Sequence, residues 1–566
     1  MNDKNINLRM ILEDQHNEFL YEKNKSNLNV LFNRVAFIFF IFFFISLIYS
    51  IHLVHLGSRK NNNEITYKPN SPVSKLYRAN FVDRNNQYIG KTVSSIDIGI
   101  STRQVINQKK LILNLKYIFP DKNYEEIESK LNKKKFFYFE KKISAENYEK
   151  IMQLGDKSIQ PEEKLTRIYP EKNLFSHIIG QIDDDNNGIS GLEKSQDAKL
   201  KITKEPIKLT VDKDIQFVIR NELMKFDKIF NTIGSAAILM NVNNGEIISL
   251  VSLPDFDPNK REKITDINFI NRATKGVYEF GSVFKTFTIA AALNEKIIEP
   301  ETEFIDLPKK ITCAGFPIRE YDQNIPSTLT AEQILIRSGN IGSVRIGQKL
   351  GEEKFKLFLS KLGIIGTINF DIEEVGKPMK FNWGKCPLAT ASFGHGITTT
   401  LIQVVKAYSI IVNGVFNVKP SLLKDIKKVK KEKVLNEDVS KKILTILRKI
   451  VSTKEGTANL ANVIGYEIGG KTGTANKSSK SKEGYSNKKI NTFVSVFPTS
   501  KPKFILAVML EEPKINEDYI YEYRDGSNFK LKGSPRNTAG WNSVEVTGHI
   551  VEKIGPILAT KYNEVN

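Results

Sequence analysis

Apolar and polar positions divide the chain into segments of different character. From Val35 to Leu56 the run "VAFIFFIFFFISLIYSIHLVHL" has no acidic or basic residue, only two histidines near its end, and the first cation beyond it is Arg59. A helix of that length crosses the roughly 30 Å hydrocarbon core of a bilayer, and a surface that is apolar all round offers no face to water. The pattern predicts a membrane span over 35–56. No small-residue cleavage site follows it, so the span is expected to stay as an anchor. The polar, Pro-containing stretch "NNNEITYKPNSPVSK" then reads as a linker.

From about Lys75 to Pro206, short apolar runs predict strands and at least one lysine-rich helix near "YEEIESKLNKKK". A second region starts near "IKLTVDKDIQFVIRNEL". In it, "SAAILMNVNNGEIISLVSLPDFDPN" sets two apolar runs around an Asn-Gly turn, a hairpin signal. "YEFGSVFKTFTIAAALNEK", Tyr278 to Lys296, predicts a buried helix. "NTFVSVFPTSKPKFILAVMLEEPK" predicts another strand pair, and "VEVTGHIVEKIGPIL" a last helix. Strand pairs at both ends of a segment with helices between them predict one antiparallel sheet packed by helices, an α+β fold. The organisation read from the pattern is a tail over 1–34, the span over 35–56, a first domain over 57–205 and a second over 206–566. There are no internal repeats.

At 566 residues the chain has ample material for several domains. Its formal net charge of +20 fits either an anionic partner or a bias toward lysine, asparagine and isoleucine. The basic run "KDIKKVKKEK", Lys424 to Lys433, lacks the interleaved aromatics of a single-strand nucleic-acid site and reads as a solvated face. No nucleic-acid partner is expected. Cys313 and Cys386 make no zinc motif and no CxxC pair, and the sequence leaves open whether they join. The tail before the span carries five basic and five acidic residues, and Arg59, Lys60 and Lys68 follow it. Basic residues therefore do not orient the span.

Ser282 and Lys285 stand three residues apart where the Tyr278–Lys296 helix begins, which places them on one face. A buried ammonium is costly, so Lys285 must be paired or lose its proton, and a neutral amine beside a hydroxyl is a base beside a nucleophile. Ser-x-x-Lys also occurs at Ser421/Lys424, Ser479/Lys482, Ser500/Lys503 and Ser527/Lys530, all in polar or basic stretches. Only at Ser282 does the pair open a long apolar helix. A second stretch, "RSGNIGS", sets Ser338 and Asn340 two residues apart in a predicted loop. A third, "GGKTGTANK", places Lys471 among glycines and threonines. "GYEIGGKT", Gly465 to Thr472, is also a literal match to a phosphate-binding loop. That motif needs a helix after its lysine, and the Gly-, Asn- and Ser-rich residues after Lys471 would not start one.

Ser-x-x-Lys, Ser-x-Asn and Lys-Thr-Gly in that order form the signature set of the penicillin-recognising acyl transferases. The chain resembles a class B penicillin-binding protein, a membrane-anchored peptidoglycan D,D-transpeptidase, and most closely the cell-division (septal) type. The resemblance runs from Arg78 nearly to the end, through "RANFVDRN", "RIYPEKNLFSHIIGQIDDDNNGISGLEKSQD", "GEIISLVSLPDFDPN", "NRATKGVYEFGSVFK", "SFGHGITTTLIQ" and "KTGTANK". Two positions depart from the family pattern: Phe280 where proline is usual before Gly-Ser, and Asn86 where glycine usually follows asparagine.

The resemblance implies an elongated non-catalytic pedestal, of the dimerisation type, over 57–205 and a serine β-lactamase-like transpeptidase domain over 206–566. It implies that Ser282 is acylated, that Lys285 is the base, and that Ser338 and Lys471 relay a proton to the leaving amine. It also implies that Asn340 holds the substrate backbone, that Lys471, Thr472 and Thr474 bind the terminal carboxylate, that Gly473 is a further substrate-binding residue, and that the N–H groups of Ser282 and Thr474 form the oxyanion hole. No cofactor and no metal are expected. The implied partners are D-Ala-D-Ala stem peptides, an acceptor amine, β-lactams as inhibitors, and membrane division proteins including a glycan polymerase. The implied place is the inner membrane at the septum, with the tail cytoplasmic and the catalytic domain periplasmic.

Other classes share parts of the pattern. An elongation-type transpeptidase shares all three motifs, but there glutamine more often stands where this chain has His395. A secreted β-lactamase has no need of a span and a long preceding domain. A β-lactam sensor needs several spans or a cytoplasmic signalling domain. "EDQHNEF", Glu13 to Phe19, faintly resembles a glycan-polymerase glutamate motif but lies on the wrong side of the span. No G-x-S-x-G occurs, and His395 reads as structural.

Overall fold

The computed structural model describes residues 36–54, 77–260, 269–414, 416–424, 432–478 and 484–562. The expected tail over 1–34, the linker, the Ser479/Lys482 pair and most of the basic run, 425–431, lie outside the described residues, as do the ends of the expected span. Ala36–Val54 is one helix of 19 residues with mean hydropathy 2.5, long and apolar enough to cross a membrane. It forms a unit of its own.

The larger part of the remainder is organised on a five-stranded sheet. In space its strands run Gly469–Ser478, Tyr485–Phe497, Phe504–Glu511, Gly234–Asn241, Ile247–Leu253, every neighbour antiparallel. The two predicted strand pairs are thus halves of one sheet, joined where Leu239 pairs with Leu506. The Asn-Gly signal is the hairpin turn between Gly234–Asn241 and Ile247–Leu253. Phe504–Glu511 and Ile247–Leu253 are buried at every residue, so both faces of the sheet are covered. The covering helices are Lys213–Ile229, Leu401–Val412, Glu437–Ser452 and the last one, Ser543–Tyr562. Gly469–Ser478 pairs on one side only, which leaves an open edge.

The predicted buried helix is Phe284–Asn294, and every residue from Phe284 to Leu293 is buried. Apart from Lys285, its side chains up to Leu293 are apolar or small on all sides, which makes it an interior helix.

The first extramembrane segments build a second, smaller structure. The strand Tyr88–Ile100 pairs antiparallel with Ile159–Ile168, Phe137–Glu140 and Phe81–Val82. Ile98, Ile100, Leu111, Leu115, Ile127, Leu131 and Ile159 make a separate core at its outer part. Its base belongs to the main core instead: Ala79, Phe81, Tyr169 and Leu200 are part of the same buried cluster as the large sheet. Three charged side chains are buried at this base. Arg78 Nε donates to Glu193 Oε2 at 2.9 Å, and Arg167 Nε donates to Glu193 Oε1 at 2.8 Å. Removing any one member would strand a buried charge. The stretches around Arg78 and from Arg167 to Asp197, far apart in sequence, meet here.

The lysine-rich helix is Tyr124–Asn132, capped by the Asn123 side chain on the N–H of Glu126, and Lys133 onward falls beyond it. Asn86 has φ +65°, the left-handed region that asparagine tolerates better than most residues. The departure from glycine there is therefore accommodated. The two cysteines are joined: Cys313–Cys386 closes a loop across 73 positions with 5.7 Å between Cα atoms. A link of this span restricts the unfolded chain and contributes about 2–4 kcal/mol.

Candidate active site

One 3-10 turn, Gly281–Val283, precedes the helix Phe284–Asn294 and delivers Ser282 half-buried to a cavity of about 880 Å³. The turn lies against the open edge of the sheet. Gly281 has φ +53°, and a Cβ there would come within 2.7 Å of the Thr474 carbonyl. A Cβ on Gly473 would come within 2.2 Å of the Phe280 carbonyl. Bare backbone at both positions is what lets the turn and the strand touch. Gly473 is thus a position where the strand must be bare to meet the turn.

Ser282, Ser338, Asn340, Thr472 and Thr474 all line the cavity. Lys285 and Lys471 lie behind them, fully buried. Lys285 Nζ donates to the Ser338 carbonyl at 2.5 Å, to Asn340 Oδ1 at 2.7 Å and to Ser338 Oγ at 3.2 Å. Lys471 Nζ donates to Ser338 Oγ at 2.9 Å and to the Thr472 carbonyl at 3.2 Å. The Ser338 hydroxyl therefore bridges two amines. Ser338 has φ +58°, a conformation costly for a non-glycine residue and held here by both lysines. Three acceptors saturate a Lys285 ammonium. The amine is accordingly turned toward Ser338 and Asn340, and no hydrogen bond joins it to Ser282 in this arrangement.

Burial drives the Lys285 amine down to about 7, against an upward pull from the Glu320 carboxylate. Burial, then the charge of Lys285, pushes Lys471 well below the usual lysine range. Burial thus disfavours the charged form of both amines.

The Thr474 carbonyl faces Gly281. In an extended strand the N–H and C=O of one residue point the same way, so the Thr474 N–H also faces the turn that carries Ser282. The Thr474 hydroxyl accepts from the Ala539 N–H at 3.0 Å, which fixes its rotamer and leaves its proton to donate. Thr472 Oγ1 is held by Thr457 Oγ1 at 2.8 Å. Lys471 stands within an antiparallel strand with no helix after it, so the "GYEIGGKT" match is not a phosphate-binding loop.

Three features escaped the sequence reading. Asn340 begins the helix Asn340–Leu350 rather than sitting in a loop. Glu320 accepts from the N–H groups of Asn340 and Ile341 at 2.7 and 2.8 Å. His395, read as structural, lines the cavity, its ring 4.5 Å from that of Tyr485 and its Nδ1 3.7 Å from Glu279 Oε2. A polar residue between glycines was the only local sign of this.

The family model "Penicillin binding protein transpeptidase domain" matches residues 235–527, and "Penicillin-binding Protein dimerisation domain" matches 74–225. The chain is 31% identical to the peptidoglycan D,D-transpeptidase FtsI of Buchnera aphidicola over 68% of this chain and 72% of that one. It is 30% identical to the stage V sporulation protein D of Bacillus subtilis over 77% and 74%. It is also 26% identical to the probable FtsI of Caulobacter vibrioides over 86% and 82%. Among solved structures, penicillin-binding protein 3 of Mycobacterium tuberculosis, complexed with aztreonam, matches with a TM-score of 0.65 at 19% identity, over 87% of this chain and 98% of that one. With both domains matched in sequence, and with a serine, two buried lysines and a bridging serine set around one cavity, the chain belongs to the penicillin-binding protein family as a class B member.

Proposed function

We propose that this protein cross-links peptidoglycan stem peptides during septal cell-wall synthesis through a serine acyl-enzyme, and that β-lactams inhibit it by acylating the same serine. The observation that carries the reading is the Ser338 hydroxyl bridging Lys285 and Lys471 in the wall of the cavity that Ser282 enters. The named FtsI relatives support the substrate.

Ser282 Oγ attacks the carbonyl between the last two D-alanines while neutral Lys285 takes its proton. The oxyanion is held by the N–H groups of Ser282 and Thr474, an arrangement in which one donor is worth about a hundred- to thousandfold in rate. The C–N bond then breaks, and the departing D-alanine amine receives a proton through Ser338 from the lysine pair. Asn340 holds the donor backbone, and Lys471, Thr472 and Thr474 hold the terminal carboxylate. An acceptor amine next attacks the ester, gives up its proton by the same route and releases Ser282. Gly473 serves this centre by letting the strand approach.

The helix Ala36–Val54 is the anchor, and the transpeptidase domain, from about Pro206 onward, works outside the cytoplasm. The Cys313–Cys386 disulfide supports that side, because such links persist in oxidising compartments. The anchor also offers a helix to membrane division proteins, including a glycan polymerase. Depletion of the protein should give long, undivided cells of normal width, with a fluorescent fusion gathered at mid-cell. Rounded cells with dispersed label would instead assign it to elongation.

A further inference from the structure

The helix Asn340–Leu350 starts without a cap of its own. Its N-cap position is Gly339, which has no side chain to meet the first N–H groups. Those groups are met from 20 residues upstream, where both oxygens of the Glu320 carboxylate accept, one from Asn340 and one from Ile341. Glu320 is 7% exposed. A carboxylate at this end of a helix is favoured by the helix dipole as well as by the two bonds. The residue before it grips the same asparagine: Asn340 Nδ2 donates to the Arg319 carbonyl at 2.8 Å. With Nδ2 so engaged, Oδ1 is the oxygen left to accept from Lys285. The hairpin that carries this pair, Lys310–Cys313 with Phe316–Arg319, is itself stapled through Cys313 to Cys386 at the head of the helix Lys385–Ala391.

We propose that Glu320 is a positioning residue for acyl transfer, its carboxylate fixing the head of the Asn340 helix and, through Asn340, the place of the Lys285 amine. It acts by geometry and by charge. The charged group that acts on Lys285 is Glu320, just past the hairpin; Lys285 in turn acts on Lys471 in the strand Gly469–Ser478, while Ser338 and Asn340 face it with neutral oxygens. Glu279, Asp322, His395, Lys489 and Arg536 line the same cavity, but none bonds the Lys285 amine. Glu320 is thus the anion that offsets the burial of the Lys285 amine. Without it the Lys285 amine drifts from its place and holds its proton less well.

The inference rests on Lys285 being the base. If it is not, the wild-type acylation rate will show no acid limb near pH 7, which is seen before any variant is made. The test is the second-order rate constant for labelling of the full-length protein by fluorescent penicillin, measured across pH. In Glu320→Gln the rate at the pH optimum should fall by at least about tenfold, because a small displacement at a reacting centre is costly. Its acid limb should also move to lower pH by about one unit, since a lysine that loses its anion is neutral at lower pH. Glu320→Asp restores the charge and should bring the limb back toward that of wild type. Should Glu320→Gln fail to fold, Gly339→Ser in the same chain supplies a neutral cap, and the displaced limb should persist in the folded double variant. A slower variant whose limb has not moved would reduce Glu320 to a helix cap, and an unchanged rate would remove it from the site altogether.

Discussion

Ser282→Ala should abolish covalent labelling by fluorescent penicillin while leaving the fold intact. The hydroxyl removed is the one atom able to form the ester, and lone knock-outs of such a nucleophile cost several orders of magnitude in rate. We expect the loss here to reach at least about four orders of magnitude, below detection in a labelling gel. Stability should hardly change. Ser282 is half-buried at the cavity, and the lysines spend their hydrogen bonds on Ser338, Asn340 and Thr472 rather than on it. A thermal melt within about 0.5 kcal/mol of wild type would separate loss of chemistry from loss of structure. Undiminished labelling of a folded Ser282→Ala protein would mean that another residue is acylated.

Lys285→Arg should bind penicillin but acylate at least about a hundredfold more slowly, because a guanidinium keeps the charge and cannot become a neutral base at ordinary pH. The geometry adds to the loss. A single Nζ reaches Ser338 twice and Asn340 once, and the longer planar fork of arginine cannot reproduce those three directions. The pH dependence distinguishes the two side chains. Burial lowers Lys285 to about 7, so below that value the amine is protonated and no base is present, while above it the neutral form accumulates. Wild-type acylation should therefore rise with pH through about 7, and the arginine variant should show no such rise. Near-normal acylation by Lys285→Arg would require a different base.

The sheet and the buried helix were legible because their signals are local. Apolar runs around Asn244-Gly245 and between Asn491 and Leu510 gave strands, and a run of apolar and small residues after Ser282 could only be interior. Of the residues named from the three motifs, Ser282, Ser338, Asn340, Thr472 and Thr474 line one cavity, and Gly473 lets the strand meet the turn. What the sequence concealed depends on distant partners. Asn340 starts a helix whose cap comes from Glu320, while the residue at its own cap position is glycine, so no local signal announces the start. Ser282 sits in the 3-10 turn and Lys285 in the helix that follows, and the amine turns to Ser338 and Asn340, which only the folded chain brings near. The Cys313–Cys386 pairing was likewise undecidable, since nothing in the spacing says that a hairpin and a helix will meet.

The most direct test is peptide mapping by mass spectrometry of the full-length protein quenched during turnover of a peptide ending in D-Ala-D-Ala. The acylated species should carry the peptide less its terminal D-alanine, on the fragment that contains Ser282. An adduct on Ser338, or turnover with no covalent species at any residue, would contradict the assigned chemistry.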